Sequence, residues 1–112
     1  MKKFIVLYRA PKGAMEEMGK MSPEQQKAGM SMWMEWANKC GGSLVDLGTP
    51  LGNAHSMSKD THGPSDSDVV GYSVLQAESM GEVRKMIEGH PHLMTPGMCS
   101  IEVHESLPLP GM

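Results

Sequence analysis

Between Lys2 and Arg9, apolar side chains occupy both parities of the chain: Phe4, Val6 and Tyr8 on one, Ile5 and Leu7 on the other. A strand apolar on both faces is buried on both, so this segment is expected at the centre of a sheet. Asp68–Gln76 repeats the pattern, with Val70, Tyr72 and Val74 alternating against Val69, Gly71, Ser73 and Leu75. Met98–Glu105 alternates more cleanly, with Cys99, Ile101 and Val103 set against Ser100, Glu102 and His104. Ser43–Gly48 reads as a short strand, with Val45 and Leu47 on one face and Leu44 and Asp46 on the other.

Two stretches change to a helical period. Ser22-Pro23-Glu24-Gln25 is a helix start: Ser22 caps, Pro23 stands where no N–H is needed, and Gln25 completes a capping box. The helix is expected to run to Cys40 and stop at Gly41-Gly42. Gly29, Met32, Trp33, Trp36 and Cys40 gather on its inner side, with Lys27, Ser31, Glu35 and Asn38 opposite. Ser79–Glu88 is a second helix, with Val83, Met86 and Ile87 turned to a core, ended by Gly89-His90-Pro91-His92. Pro11–Met21 reads as a polar connection. Residues 49–67 are rich in Gly, Pro, Ser and Asp, and a strand-like patch at Ala54–Lys59 is expected to join the next strand in a hairpin around Asp60–Ser67.

The order of elements predicts an α+β, ferredoxin-like split βαβ domain with an extra hairpin, its antiparallel sheet covered on one face by two helices. Residues 1–112 are expected to form one domain, with 106–112 as an extended tail through Leu107-Pro108-Leu109-Pro110. The second apolar face of the first strand then needs a cover. A second copy in a two-fold homodimer is the simplest supply.

Composition sharpens this only in places. Ile, Val, Leu and Phe are sparse, but 13 Met supply apolar volume and the net charge is only −3, which argues against disorder. No basic patch stands out, so a nucleic-acid partner is not expected. Cys40 and Cys99 are too few for a disulfide scaffold, match no zinc spacing and read as buried thiols. The apolar run Phe4–Tyr8 is too short for an export signal, and no stretch is long enough to cross a membrane. A cytoplasmic protein with no membrane partner is expected.

Lys3–Tyr8, Ser22–Gln25, Gly42–Gly48, Gly71–Ser79, Gly89–Leu93 and Cys99–Glu105, in this order and spacing, resemble the YCII-related (DGPF) proteins over nearly the whole chain. The resemblance implies a dimeric α+β barrel with a cleft beside the sheet. Some members resemble acid–base lyases that use a His on the first helix with an Asp after the second strand. Ser31 stands at that helix position here, Thr49–Ala54 offers no matching Asp, and Asp60-Thr61-His62-Gly63-Pro64 only loosely echoes the family motif.

Candidate chemistry lies elsewhere in the chain. Glu102 and His104 share one face of the last strand, roughly 6–7 Å apart along it. A carboxylate beside an imidazole makes a general base near neutrality, and Asp46 could join them; a simple solvated polar face competes with this reading. Tyr8, Tyr72, His55 and Trp33 are candidate ligand-binding residues, although the Trp33/Trp36 spacing also suits plain core packing. His90 and His92, with Met94, Met98, Cys99 and the Met15/Met18/Met21 run, carry soft donors of the kind Cu(I) takes. Gap-filling methionines and a His-rich helix end account for the same residues.

The leading expectation is a homodimeric small-molecule-binding protein of unknown substrate, with lyase-like acid–base chemistry in the sheet cleft. No metal or cofactor is assigned, and whether it is an enzyme stays open. The alternatives are a non-catalytic structural or regulatory dimer module, and a copper or zinc binder through His90, His92 and methionines.

Overall fold

The computed structural model describes residues 1–95 and 98–111, apart from the side chains of Met15, Glu17 and Met18. In chain order the elements are β1 (Lys2–Arg9), α1 (Ala14–Gly19), α2 (Pro23–Cys40), β2 (Leu44–Asp46), β3 (His55–Met57), β4 (His62–Pro64), β5 (Val69–Ala77), α3 (Met80–Ile87) and β6 (Ser100–Glu105). Four strands build one antiparallel sheet in the order β2-β5-β1-β6, and β3 with β4 forms a separate two-stranded hairpin. This is the α+β, ferredoxin-like split βαβ arrangement. The doubly apolar β1 is indeed interior, paired to β5 and β6 along most of its length.

Strand parity divides the sheet into two unlike faces. Phe4, Val6, Tyr8, Ser73, Leu75 and Ala77 are buried on the face toward the helices, where Trp36 of α2 and Val83 and Ile87 of α3 complete the core. Each large apolar side chain buried there contributes about 1.5–3 kcal/mol. Ile5, Leu7, Tyr72 and Val74 alternate to the other face and stay half-exposed.

Side-chain caps start α2 and α3, and a glycine ends α2. Ser22 Oγ accepts from the Gln25 N–H at 3.1 Å while Gln25 Oε1 accepts from the Ser22 N–H at 3.0 Å, so both halves of the capping box form. Ser79 caps α3 through the Glu82 N–H at 3.3 Å. Gly41, with φ of 55°, ends α2. A short 3-10 turn, Pro91–Met94, follows α3.

The structure departs from expectation in four places, one being a register shift in β2 that pairs Leu44 with Leu75 but Asp46 with Val74, so the two do not share a face. The connection Pro11–Met21 contains α1. Strand β3 does not extend a hairpin toward β5; the chain turns earlier, where the Ser58 N–H donates to the Thr61 C=O at 2.7 Å, and β3 pairs with β4. Met32 is 49% exposed rather than inward. On a helix it stands about 70° from the centre of the Trp33/Trp36/Cys40 stripe, at its solvent-facing edge. No helix among the described residues is long and apolar enough to cross a membrane.

Candidate functional site

The sheet's two faces hold two clusters of polar and aromatic groups. On the covered side, Tyr8 from β1 meets Trp33 of α2 edge-on at 4.7 Å between ring centres, with His90 at 5.1 Å and His92 at 5.3 Å. His90 also lies 4.6 Å from Trp33 and 4.3 Å from Trp36. All of these except the Tyr8–His90 pair, tilted at 33°, are edge-on and bring positive ring edges against negative ring faces.

Hydrogen bonds lock this cluster. Ser73 Oγ donates to the Leu47 C=O at 2.6 Å, so the Tyr8 hydroxyl, 2.8 Å away, donates to Ser73 Oγ. Gly48 makes that approach possible: a Cβ there would come within 1.8 Å of the Tyr72 carbonyl oxygen, and its φ is +78°. Trp36 Nε1–H donates to the Met86 C=O at 2.8 Å and ties α2 to α3. The His92 N–H donates to His90 Nδ1 at 2.9 Å, and His92 Nε2 lies 2.8 Å from the Arg9 C=O, to which it donates.

The acceptor role of Nδ1 puts the proton of neutral His90 on Nε2. That atom is buried with no hydrogen-bond partner among the described residues. Burial, with His92 adjacent, pushes the His90 pKa down to about 4, and burial pushes that of Tyr8 up to about 12. Both groups are therefore neutral across the physiological range.

On the open face, Glu102 and His104 of β6 are joined by a hydrogen bond of 2.5 Å between Glu102 Oε1 and His104 Nε2. Arg9, at the end of β1, bonds Glu102 at 3.1 Å and Asp68 at 2.9 Å. The His104 hydrogen bond holds the Glu102 carboxyl below its usual range, and the Arg9 bond does the same for Asp68. Glu102 is thus an acceptor, so His104 donates Nε2–H to it, an arrangement that in the neutral ring makes Nδ1 the acceptor. Ile5, Leu7, Tyr72 and Val74 form the apolar floor beside this row.

Asp46 shares that face but not that edge. Register places His104, Ile5, Val74 and Asp46 in one row across β6, β1, β5 and β2, and three strand spacings make about 14 Å. Asp46 instead accepts from the Gly48 N–H at 2.9 Å and from the Tyr72 hydroxyl at 3.4 Å. Tyr8 and Trp33 belong to the covered cluster, 2% exposed and half-buried respectively. His55 lies on the exposed β3–β4 hairpin, with its Nε2 3.4 Å from His62 Nδ1. The cysteine thiols are half-buried and pushed up by that burial. Met15 and Met18 lie outside the described side chains. Sequence reading missed Arg9 and Asp68; the signal was available, because Arg9 ends the central strand and Asp68 opens the one beside it.

Among solved structures, the chain is similar to 5-chloro-2-hydroxyhydroquinone dehydrochlorinase (TftG) from Burkholderia phenoliruptrix AC1100, solved as a complex with 2,5-dihydroxybenzoquinone. The match covers 89% of this chain and 90% of that one, with 14% identity and a TM-score of 0.53. The two share a fold. No family model and no curated protein matches the chain.

Proposed function

We propose that this protein binds a small, flat, oxygen-bearing molecule on the open sheet face and acts on it by proton transfer. The observation that carries the reading is the Glu102–His104 pair beside the apolar floor of Ile5, Leu7, Tyr72 and Val74. A floor of this kind accepts a ring face, and the polar row at its edge accepts the ring's oxygens. His104 Nδ1 takes the proton, Glu102 stabilises the imidazolium formed, and Arg9, lying between the carboxylates of Glu102 and Asp68, holds Glu102 in place. Asp46 and Tyr72 form the far wall. The fold shared with a dehydrochlorinase and the resemblance to YCII-related proteins point in the same direction.

A homodimer completes the proposal. One protomer leaves Ile5, Leu7 and Val74 partly wet, and Leu107 and Leu109 are 71% and 66% exposed in the tail. A second copy laid on this face turns an open floor into a cleft and removes that apolar area from water.

The test is native mass spectrometry on untagged protein, followed by thermal melting with 2,5-dihydroxybenzoquinone as the first probe. A dimer whose melting temperature rises with the probe is expected, since a ligand of the folded state stabilises it by mass action. His104→Ala should abolish the rise while leaving the melting temperature without probe unchanged. A bare monomer, or a His104→Ala variant stabilised as much as the parent, overturns the reading. A dimer that no hydroxylated ring stabilises makes the structural or regulatory module the better account.

A further inference from the structure

We propose that the β3–β4 hairpin is a Cu(I) site built from His55, His62 and Met57. The register pairs His55 with Pro64 and Met57 with His62, so all four residues share one face of the hairpin. His55 Nε2 and His62 Nδ1 lie 3.4 Å apart with ring centres 5.5 Å apart. Two imidazole nitrogens on one metal, each at about 2.0–2.1 Å and opened by a trigonal or tetrahedral angle, stand about 3.3–3.6 Å from each other. The two nitrogens are hydrogen-bonded, and with the shared proton moved to the other nitrogen of its ring they stand at the spacing one metal ion requires.

The third donor decides which metal. No three of His, Cys, Asp and Glu come together in a metal-binding group among the described residues. The register sets Met57 opposite His62 on the same face, 77% exposed, so its thioether is free to turn toward the pair. Two imidazoles and a thioether are a soft set that suits Cu(I), whereas a closed zinc site takes four harder or thiolate ligands.

The hairpin also holds the donors in position. The Ser58 N–H donates to the Thr61 C=O at 2.7 Å, their hydroxyls lie 2.6 Å apart, and the Ser65 N–H donates to the Ala54 C=O at 2.9 Å. The turn and the base are thus both closed, so binding costs little ordering of the backbone. Neither His takes part in the core, and the proposal stands whether or not the sheet face binds a ring.

The experiment is anaerobic titration of the untagged full chain with Cu(I) in competition with bicinchoninate, run in parallel on His55→Ala, His62→Ala and Met57→Leu. Cys40, Cys99, His90 and the other methionines are common to all four proteins and cancel in the difference. The parent is expected to take up one equivalent more than either histidine variant at the same chelator concentration. The loss of affinity should be at least the roughly 10–100-fold that removing even an outer-shell partner costs a metal site. Met57→Leu should weaken Cu(I) by about tenfold while leaving Zn²⁺ binding as in the parent. Circular dichroism and melting temperature should match the parent in all three. Equal Cu(I) uptake by the parent and a His55→Ala/His62→Ala double variant overturns the site, and a Met57→Leu protein that binds Cu(I) as the parent does overturns the choice of metal.

Discussion

His90 and His104 lie on opposite sides of the same sheet, and their surroundings differ in almost every physical respect. His90 is fully buried, ringed by Tyr8, Trp33 and Trp36, and its Nδ1 is used by a backbone N–H. His104 is mostly exposed, bonded to a carboxylate, and next to the half-exposed side chains of Ile5 and Leu7. The first environment suppresses charge and spends the imidazole on structure. The second sets a carboxylate counter-ion beside the ring. The same side chain is thereby a core residue on one side and a candidate base on the other.

The contrast is broken most severely from the covered side. Trp36→Ala removes a buried indole and its bond to the Met86 C=O, and should cost about 3–5 kcal/mol in urea unfolding. A loss below 1 kcal/mol would mean that the aromatic cluster is not part of the core.

Acid should act on the covered side next. Folding lowers the His90 pKa from 6.5 to about 4, so below pH 6.5 the unfolded chain binds a proton that the folded chain refuses. Stability is therefore full above that value, falls as the pH drops toward 4, and is lower by about 3 kcal/mol once both states are protonated. Unfolding midpoints measured from pH 7 to pH 4 should show this limb in the parent and in His104→Ala. The limb should be much reduced in His90→Phe.

A smaller effect tests the hydrogen bond that links strand and loop. Tyr8→Phe keeps the ring contacts but leaves Ser73 bonded only to Leu47, at a cost of about 1 kcal/mol by denaturant titration. The smallest belongs to the open face: His104→Ala should leave the urea midpoint where it is, because the side chain is 58% exposed and its bond to Glu102 lies at the surface. A large drop in that variant would make His104 a structural residue and remove the contrast.

Much of the fold was legible from periodicity. The parity of Phe4/Val6/Tyr8 against Ile5/Leu7 announced a central strand, and the Ser22 capping box marked a helix end to the residue. The hairpin was less legible because Ser, Gly and Asp dominate residues 49–67, and a polar stretch carries no face to fix its register. The candidate site was half legible. Glu102 and His104 are neighbours on one strand face, so spacing alone finds them. Arg9 and Asp68 reach them only through pairing of strands far apart in the chain, and Asp46 shares their face yet sits about three strand spacings away.

What the sequence by itself determined is local: strand parity, helix stops, and which side chains share a face. These follow from bond geometry and from caps a few residues long, so neighbours in the chain are enough to specify them. The tertiary structure decided everything that depends on which strand lies beside which. It turned the His-Pro-His turn inward against Tyr8, Trp33 and Trp36, and gathered Asp68, Arg9, Glu102 and His104 into one row. It also brought two hairpin imidazoles within 3.4 Å of each other. Such meetings are set by strand order and register, and these are chosen by burial summed over the whole sheet rather than by any one segment.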